Sequence, residues 1–286
     1  MTALDLPWLL EIARNAVADA EQHLSTAGPS TVTAKGDRDM VSDVDVTIER
    51  QIRAALRAAT PRLGFLGEEE GSHGPNAETR WILDPVDGTA NFIRGMPLYA
   101  ISLALVHQNS AVLGVISLPS LSRRYWAATG LGAWRDGQFI RPAATRSLRE
   151  AMVAFGDFGT GRNTPEREQL DLAVLTRLAQ QAQRTRVLGT SAIDLVFVAD
   201  GSLDASITLA NRSWDMAAGV VIAREAGAAV TDLDATAHTA DSRTTIAATP
   251  AILDDVLALL REAAAGTSYD PAAWTRTSAR PPYRKA

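Results

Sequence analysis

The order of apolar and polar residues in the first half of the chain predicts two helices followed by a group of short strands. Between positions 5 and 24, apolar residues recur every three or four residues, the spacing of one face of an amphipathic helix. Ile48, Ile52 and Leu56 mark a second helix, which ends at Thr60-Pro61. Short apolar runs predict strands of a mainly antiparallel sheet at 62–66, 81–83, 99–106, 112–118 and 124–128. Polar or glycine-containing stretches predict exposed turns at 35–39, 129–132 and 136–137.

The second half of the chain alternates between strand and helix patterns, which is typical of an α/β unit. The predicted strands cover 152–155, 185–188, 203–209, 228–232 and 244–248, and the predicted helices cover 165–181, 191–199, 214–226 and 251–263. Because the composition shifts near residue 145, we divide the chain into three parts. These are an N-terminal α+β part at 1–145, a C-terminal α/β part at 146–265, and a polar tail at 266–286 that we expect to be flexible.

Composition and charge exclude several classes of protein. The chain has no Cys, so disulfides, thiolate metal sites and a Cys nucleophile are excluded. Its formal net charge of −5 does not indicate a general partner of nucleic acids or of an anionic membrane. The N-terminus lacks a basic segment, so no signal peptide is predicted, and no apolar run reaches the about 18 residues of a transmembrane helix. We expect a cytoplasmic protein, in which metal cations or helix N-termini would be needed to attract an anionic substrate.

A run of glutamates at 68–70 follows one of the predicted strands. Such runs are usually solvated, but Gly67 and Gly71 bracket this one directly after an apolar segment. The pattern therefore places Glu68 at the end of a strand, a common position for a metal ligand.

The segment 84–89 has the sequence D-P-V-D-G-T, which can bring two aspartates together. Pro85 disfavours the α region at Asp84, which therefore stays extended, and Gly88 permits a turn shortly afterwards. Asp84 and Asp87 can then converge on one point. A shared hard cation such as Mg²⁺ would remove their mutual repulsion.

Predicted helix N-termini supply the remaining candidate groups. Ser213 is a plausible N-cap, and Asp215 then lies in the first helical turn, where an acidic residue also complements the helix dipole. Further N-termini are predicted after Thr89 and at Gly189-Thr190-Ser191. Helix N-termini present free N–H groups that suit a phosphate.

These segments resemble the inositol monophosphatase family of metal-dependent, lithium-sensitive phosphatases. The resemblance extends over about residues 5–262, carries the motifs at 67–69, 84–89 and 214–219 in order, and looks most like that of bacterial, actinobacterial-type members. It implies an alternating α-β-α-β-α layered fold, of α+β and α/β character, and a homodimer. It also implies Mg²⁺-dependent hydrolysis of a small phosphate monoester, such as inositol 1-phosphate, by direct in-line attack of water.

The resemblance also assigns metal ligands by motif. It implies a first Mg²⁺ held by Glu68, Asp84 and the carbonyl of Val86. A second Mg²⁺ would be held by Asp84, Asp87 and Asp215.

Further residues take their roles from the same resemblance. Asp45, with Glu69 nearby, matches the outlying ligand of a weaker third metal. Thr89 would act with Glu68 to orient the attacking water, and Asp87 belongs with them among the catalytic residues. The N–H groups of Gly88 and Thr89 would bind the phosphate.

Substrate choice is the least specific part of the resemblance. The segment Gly189, Thr190 and Ser191 matches the sugar-side loop, and Asp87 and Asp215 also face the substrate. Animal members carry a Glu that contacts inositol where this chain has Thr208, whose shorter hydroxyl cannot accept in the same way. Arg212 could recognise a second anionic group or could be a solvated surface residue. Fructose 1,6-bisphosphate, histidinol phosphate and 3′-phosphoadenosine phosphates therefore stay open as substrates.

Two readings of other kinds compete with this one. Residues 43–47 match the D-x-D-x-T string of haloacid dehalogenase-type phosphatases, with Asp43 as nucleophile, but the preceding segment is polar rather than a hydrophobic strand. Alternatively, the chain could be a non-catalytic interaction protein in a transcription-associated complex. A scaffold, however, has no need for Glu68, Asp84, Asp87 and Asp215 together.

Overall fold

A computed structural model describes residues 4–26, 31–36, 39–75, 78–156, 158 and 165–268. The α-helices in these ranges are α1 (Leu6–Thr26), α2 (Asp43–Ala59), α3 (Thr89–Ile93), α4 (Pro165–Gln181), α5 (Ser191–Ala199), α6 (Ser213–Ala226) and α7 (Leu253–Ala265). The strands of the first half are β1 (Val32–Gly36), β2 (Asp39–Ser42), β3 (Gly64–Gly67), β4 (Gly71–His73), β5 (Thr79–Asp87), β6 (Ala100–His107), β7 (Ser110–Leu118), β8 (Arg123–Ala128), β9 (Ala133–Arg135) and β10 (Gln138–Phe139). Those of the second half are β11 (Met152–Phe155), β12 (Arg184–Arg186), β13 (Ala205–Thr208), β14 (Ala229–Thr231) and β15 (Thr245–Ala248).

The described elements stack in five layers. An eight-stranded sheet has the order β10-β9-β8-β7-β6-β5-β3-β4, and a five-stranded sheet has the order β12-β11-β13-β15-β14. Helices α1 and α2 cover the outer face of the larger sheet, α5 and α6 lie between the two sheets, and α4 and α7 cover the outer face of the smaller sheet. The predicted α-β-α-β-α fold is confirmed.

Two glycines let α6 lie close to its neighbours. A Cβ on Gly114 of β7 would come within 2.5 Å of the carbonyl oxygen of Ala218, and one on Gly219 of α6 would come within 2.5 Å of Leu195 on α5. Strand β6 likewise turns small side chains such as Ala100 and Ala104 toward this layer and leucines toward the other face. Because buried layers are packed at high density, these small residues set the position of the helix that begins beside Asp215.

The periodicity located most elements within a few residues. Strands β1, β2, β4, β9 and β10 were not predicted, because they are too short to show a period, and of the short helix α3 only the N-terminus was predicted. The expected helix at 251–263 begins instead as a 3₁₀ turn at Pro250–Ile252. The expected exposed turn at 35–39 is wrong at Lys35, which lies half-buried in β1.

Some sequence expectations lie partly or wholly outside the described residues. The tail beyond residue 268 is one. Another is most of residues 156–164, the loop expected between the predicted strand at 152–155 and the predicted helix at 165–181. The larger sheet ends at Phe139 and the smaller sheet begins at Met152. The division at residue 145 stays a proposal, because α6 packs on both sheets. No helix in the part of the chain that the structure describes is long and apolar enough to cross a bilayer.

Candidate active site

A β-bulge brings the two aspartates of the 84–89 segment to one face of the larger sheet. Asp84 pairs with Ser102 of β6, whereas Asp87 pairs with Ala100, so three steps along β5 match two steps along β6. Residues two apart on a strand share a face, and the extra residue in the bulge therefore puts Asp84 and Asp87 on the same face. Pro85 lies inside this irregular stretch, where its missing N–H interrupts no regular ladder. The predicted convergence of the two aspartates is confirmed, but a bulge within the strand produces it.

The chain leaves β5 through a left-handed turn that only glycine fits. Gly88 has φ 88° and ψ 37°, and a Cβ there would lie 2.9 Å from the carbonyl oxygen of Leu98. Helix α3 begins at Thr89, as predicted. Its Asn91 side chain donates to the carbonyls of Leu98 and Leu188, both at 2.8 Å. Asn91 thus ties the motif to the segment that precedes α5.

Asp87 is bound to the N-terminus of α5. Its Oδ2 accepts the Thr190 hydroxyl and the Ala192 N–H, both at 2.6 Å. Thr190 is the N-cap of this helix and is buried. The free N–H groups and the dipole of a helix N-terminus stabilise a carboxylate in this position.

Asp215 lies in the first turn of α6, where the sequence placed it. The N-cap is Arg212 rather than the predicted Ser213, because Ser213 already has a helical backbone. Asp215 Oδ2 accepts the Arg212 N–H at 2.7 Å, which fixes the carboxylate at the helix start.

Asp45 lies beside the Thr89 hydroxyl. Its Oδ1 lies 3.0 Å from the Thr89 Oγ, and its Oδ2 accepts the Ser42 N–H at 3.0 Å and also the Ser42 hydroxyl. The Thr89 Oγ is also 2.9 Å from the Val86 carbonyl oxygen. Thr89 has one proton to donate, so it cannot satisfy both acceptors at once.

The side chains of the glutamate run at 68–70 pair with cationic groups on two different sides. Lys35 reaches in from β1, with its Nζ 3.1 Å from Glu68 Oε1 and 2.5 Å from Glu69 Oε1. Glu70 points the other way and pairs with the guanidinium groups of Arg50 and Arg53, each at 2.6 Å. The run is therefore not the solvated surface that such sequences usually form.

The carboxylates act on one another electrostatically, which shows that they share one site. Burial raises the pKa of Asp84 well above its ordinary value, and the charges of Glu68, Asp87 and Asp215 raise it further. Burial also raises the pKa of Asp215 to about 8, helped by Glu68. For Asp87, burial raises the pKa to about 6 although the Thr190 and Ala192 hydrogen bonds oppose it.

The outer carboxylates follow the same pattern. Burial raises the pKa of Glu69 to about 7 against the effect of Lys35, and burial raises the pKa of Asp45 against its hydrogen bonds from Ser42 and Thr89. Asp194 on α5 is fully buried, and neither of its oxygens has a hydrogen-bond partner among the described residues. Burial and the charge of Asp87 raise its pKa well above the ordinary value, which favours the protonated form.

The donor set fits a hard divalent cation. Converging carboxylates that burial and mutual repulsion disfavour as anions are stabilised when a cation neutralises them, and oxygen ligands suit Mg²⁺. Asp84, Asp87 and Asp215 meet that condition, and the charge of Glu68 acts on all three. The site therefore fits the metal ligands that the sequence suggested.

A second acidic group, Glu49, Glu70 and His73, fits a metal less well. One ligand atom from each lies within 4.8 Å of the others. However, both Glu49 oxygens accept backbone N–H groups, Glu70 is paired with arginines, and His73 Nε2 lies 2.8 Å from Arg53 Nη1. A metal ion would have to displace these donors, so we assign no metal to this group.

The predicted substrate residues have different surroundings. Gly189, with φ 72°, and Ser191 are partly exposed on either side of Thr190. Thr208 is buried in β13 close to Gly156, a position that does not favour direct contact with a substrate. Arg212 is exposed, with its guanidinium 5.6 Å from the centre of the Trp214 ring.

Sequence reasoning missed four residues of this region: Lys35, Glu49, Asn91 and Asp194. Lys35 lay in a polar stretch and Glu49 on a helix, and neither carries a local signal of what it contacts. Asn91 lies two residues after the D-P-V-D-G-T segment and could have been suspected. Asp194 stood as one charge within the apolar stretch 192–199, and that isolation was the available signal.

The competing string at 43–47 lies at the start of α2, after a strand of the two-stranded sheet β1-β2. Asp43 is exposed and accepts the Thr31 N–H at 3.1 Å. A nucleophile of that type should follow a buried strand, so this context does not support it.

Comparison with known proteins points to the same family as the motifs. The sequence profile of the inositol monophosphatase family matches residues 6–265. A probable inositol 1-monophosphatase ImpA of Mycobacterium tuberculosis is 39% identical over 86% of this chain and 92% of its own length. A fructose-1,6-bisphosphatase/inositol-1-monophosphatase of Aquifex aeolicus is 35% identical over 70% of this chain and 75% of its own length. Among solved structures, the extragenic suppressor protein suhB of Bartonella henselae superposes with a TM-score of 0.83, at 32% identity, covering 89% of this chain and 98% of that one.

The raised pKa of Asp215 predicts how the stability of the metal-free protein depends on pH. The folded protein holds a proton at Asp215 that the unfolded chain releases, so this contribution is present below the ordinary pKa of 3.8 and is lost as the pH rises to about 8. In EDTA, the free energy of unfolding of the wild type relative to Asp215→Asn should therefore fall by about 1–3 kcal/mol across this window, allowing for partial solvent screening. Urea titrations at a series of pH values measure it. The exposed Asp241→Asn is the control, and a difference independent of pH would contradict the prediction.

Proposed function

We propose that this chain, which belongs to the inositol monophosphatase family, is a magnesium-dependent hydrolase of a small phosphate monoester. The observation that carries the proposal is the convergence of Glu68, Asp84, Asp87 and Asp215 on one site, where each raises the cost of ionising another. Two Mg²⁺ ions, with a third held more weakly, would neutralise this set. The Val86 carbonyl would complete the first site, and Asp45 with Glu69 would hold the third ion.

When bound, magnesium supplies activation of a water molecule and neutralisation of phosphate charge. The protein's part is to hold the reactants and to move a proton. If Asp45 is ionised and accepts the hydrogen bond of the Thr89 hydroxyl, the Thr89 oxygen is free to accept one from the attacking water, which Glu68 would help to orient. As the water attacks, its proton would pass to the Thr89 oxygen while the Thr89 proton passes to Asp45. The N–H groups of Gly88 and Thr89 would bind the phosphate, so that water attacks in line with the leaving alcohol.

The substrate is proposed only as a class. The relatives include a protein named for inositol 1-phosphate and one named also for fructose 1,6-bisphosphate, and both are small polyol or sugar phosphates. Inositol 1-phosphate is our first candidate. Fructose 1,6-bisphosphate, histidinol phosphate and 3′-phosphoadenosine phosphates are the alternatives. Arg212, close to Asp215, offers a cationic group for a second phosphate where the substrate has one.

A different class of function is an interaction protein without catalysis. The name of the Bartonella relative, an extragenic suppressor protein, states no reaction. The four carboxylates lie together with Thr89, and this arrangement favours an enzyme over an interaction protein.

A phosphate-release assay tests the proposal directly. Purified protein with Mg²⁺ should release phosphate from at least one ester in a panel of inositol 1-phosphate, fructose 1,6-bisphosphate, histidinol phosphate and 3′-phosphoadenosine 5′-phosphate. EDTA should abolish the release because the carboxylates alone cannot activate water, and lithium should inhibit it. A folded protein that releases no phosphate from any ester would favour the interaction protein instead.

Asp87→Asn should separate chemistry from folding. An amide cannot supply a full negative charge to the metals, so kcat should fall at least about a hundredfold. Its oxygen can still accept from the N-terminus of α5, so circular dichroism should show a folded protein. The matched control is Asp200→Asn, a buried carboxyl that pairs with Arg135 and Tyr125 outside the site. Normal turnover by Asp87→Asn would refute its role as a ligand.

We also propose a homodimer located in the cytoplasm. Met96 and Val187 are each about half exposed, on segments that Asn91 ties together, which offers an apolar surface to a second copy. Light scattering should give twice the 30.5 kDa mass of the chain. A monomer mass at micromolar concentration, or recovery outside the soluble cytoplasmic fraction, would contradict these two points respectively.

A further inference from the structure

The turn that carries Glu68 and Glu69 is held through its backbone. The Glu68 N–H donates to the Leu83 carbonyl at 3.1 Å. The next two N–H groups, of Glu69 and Glu70, donate to the two oxygens of Glu49 at 2.8 and 2.9 Å. Three successive N–H groups of the turn are therefore fixed, two of them by one side chain.

Glu49 reaches this turn from α2, the helix that lies outside the larger sheet. Its side chain is fully buried. The carboxylate lies against the backbone of Gly67, where an added Cβ would collide with the carboxyl carbon and both oxygens. Glycine is therefore required at position 67, because any side chain there would displace Glu49.

The directions of the three glutamates follow from this anchor. With the turn fixed, Glu70 meets Arg50 and Arg53 on one side, while Glu68 and Glu69 face Lys35 and the aspartates on the other. A rotation of the turn would exchange these surroundings and remove Glu68 from the carboxylate cluster.

We propose that Glu49 is a positioning residue that fixes the turn so that Glu68 and Glu69 face the metal site, an inference that rests on the proposed magnesium-dependent function. The two oxygens of a carboxylate match two successive N–H groups. A glutamine offers one acceptor and sets an NH₂ group against the other N–H. An aspartate has the two oxygens but is shorter by one methylene.

Calorimetric titration of Mg²⁺ into the EDTA-treated full chain tests this role without relying on turnover. Glu49→Gln, which keeps the shape of the side chain, should weaken Mg²⁺ binding about 10- to 100-fold, the usual effect of losing a group that orients a metal ligand. Phosphate release at high Mg²⁺ should recover toward the wild-type kcat, because the ligands themselves remain. A merely structural role would lower the thermal midpoint and leave the Mg²⁺ affinity of the folded protein unchanged.

A second variant disrupts the contact between Glu49 and Gly67 by changing the glycine. Gly67→Ala should displace Glu49 and weaken Mg²⁺ binding by a similar factor, and the double variant should be no weaker than the worse single one. Glu21→Gln is the control, since this carboxylate on α1 bonds Ser117 and Arg124 away from the site. Unchanged Mg²⁺ affinity in folded Glu49→Gln would overturn the inference alone, whereas a wild type that binds no Mg²⁺ would overturn the proposed function with it.

Discussion

Mutual repulsion between carboxylates taken out of water is the constraint on which this structure depends. Asp84, Asp87 and Asp215 are drawn together where burial and neighbouring charge disfavour ionisation. A fold has no stability reason to gather them, and the surrounding donors compensate only in part. The N–H groups at the start of α5 hold Asp87, and the Arg212 N–H holds Asp215. What remains is an excess of negative charge, and this excess is the reason for proposing divalent cations as part of the working protein.

Backbone geometry and glycines, rather than polar side chains, bring the aspartates to one site. The bulge in β5 turns two aspartates three residues apart onto one face, and Gly88 then reverses the chain before it can continue across the sheet. Gly114 and Gly219 allow α6 to lie close to both neighbours, which sets the height of Asp215 above the sheet. Gly67 makes room for the buried carboxylate of Glu49. Glycines in the recognisable motifs thus reflect packing around the charged site as much as turn geometry.

The sequence predicted most elements and the acidic residues that the structure brings together, for a physical reason. The spacing of hydrophobic residues reports burial, and the helices α5 and α6 and the strand β6 are long and regular enough to show it. The proposed ligands lie at or near the ends of strands or in the first turn of a helix, where local rules apply. Lys35 was placed wrongly because its polar neighbours indicated solvent, while its actual partners, Glu68 and Glu69, lie more than thirty residues further along the chain. Glu49 and Asn91 were missed for the same reason. Contacts between elements leave no periodic signal in one sequence.

The same distinction explains why chemistry is easier to infer here than substrate. In the mechanism that we propose, the phosphate and the attacking water would contact groups fixed by backbone hydrogen bonds and by burial, and such groups need residues of one type at set spacings. In the same proposed mechanism, the alcohol of the substrate would lie at the edge of the site, where Arg212 is exposed and lies over Trp214. Thr208 is buried and would leave contact with the alcohol to more exposed residues. Solvated groups of this kind tolerate exchange, because water replaces a lost contact at little cost. A chain can therefore keep the reaction of its family while the shape and charge of the accepted alcohol change.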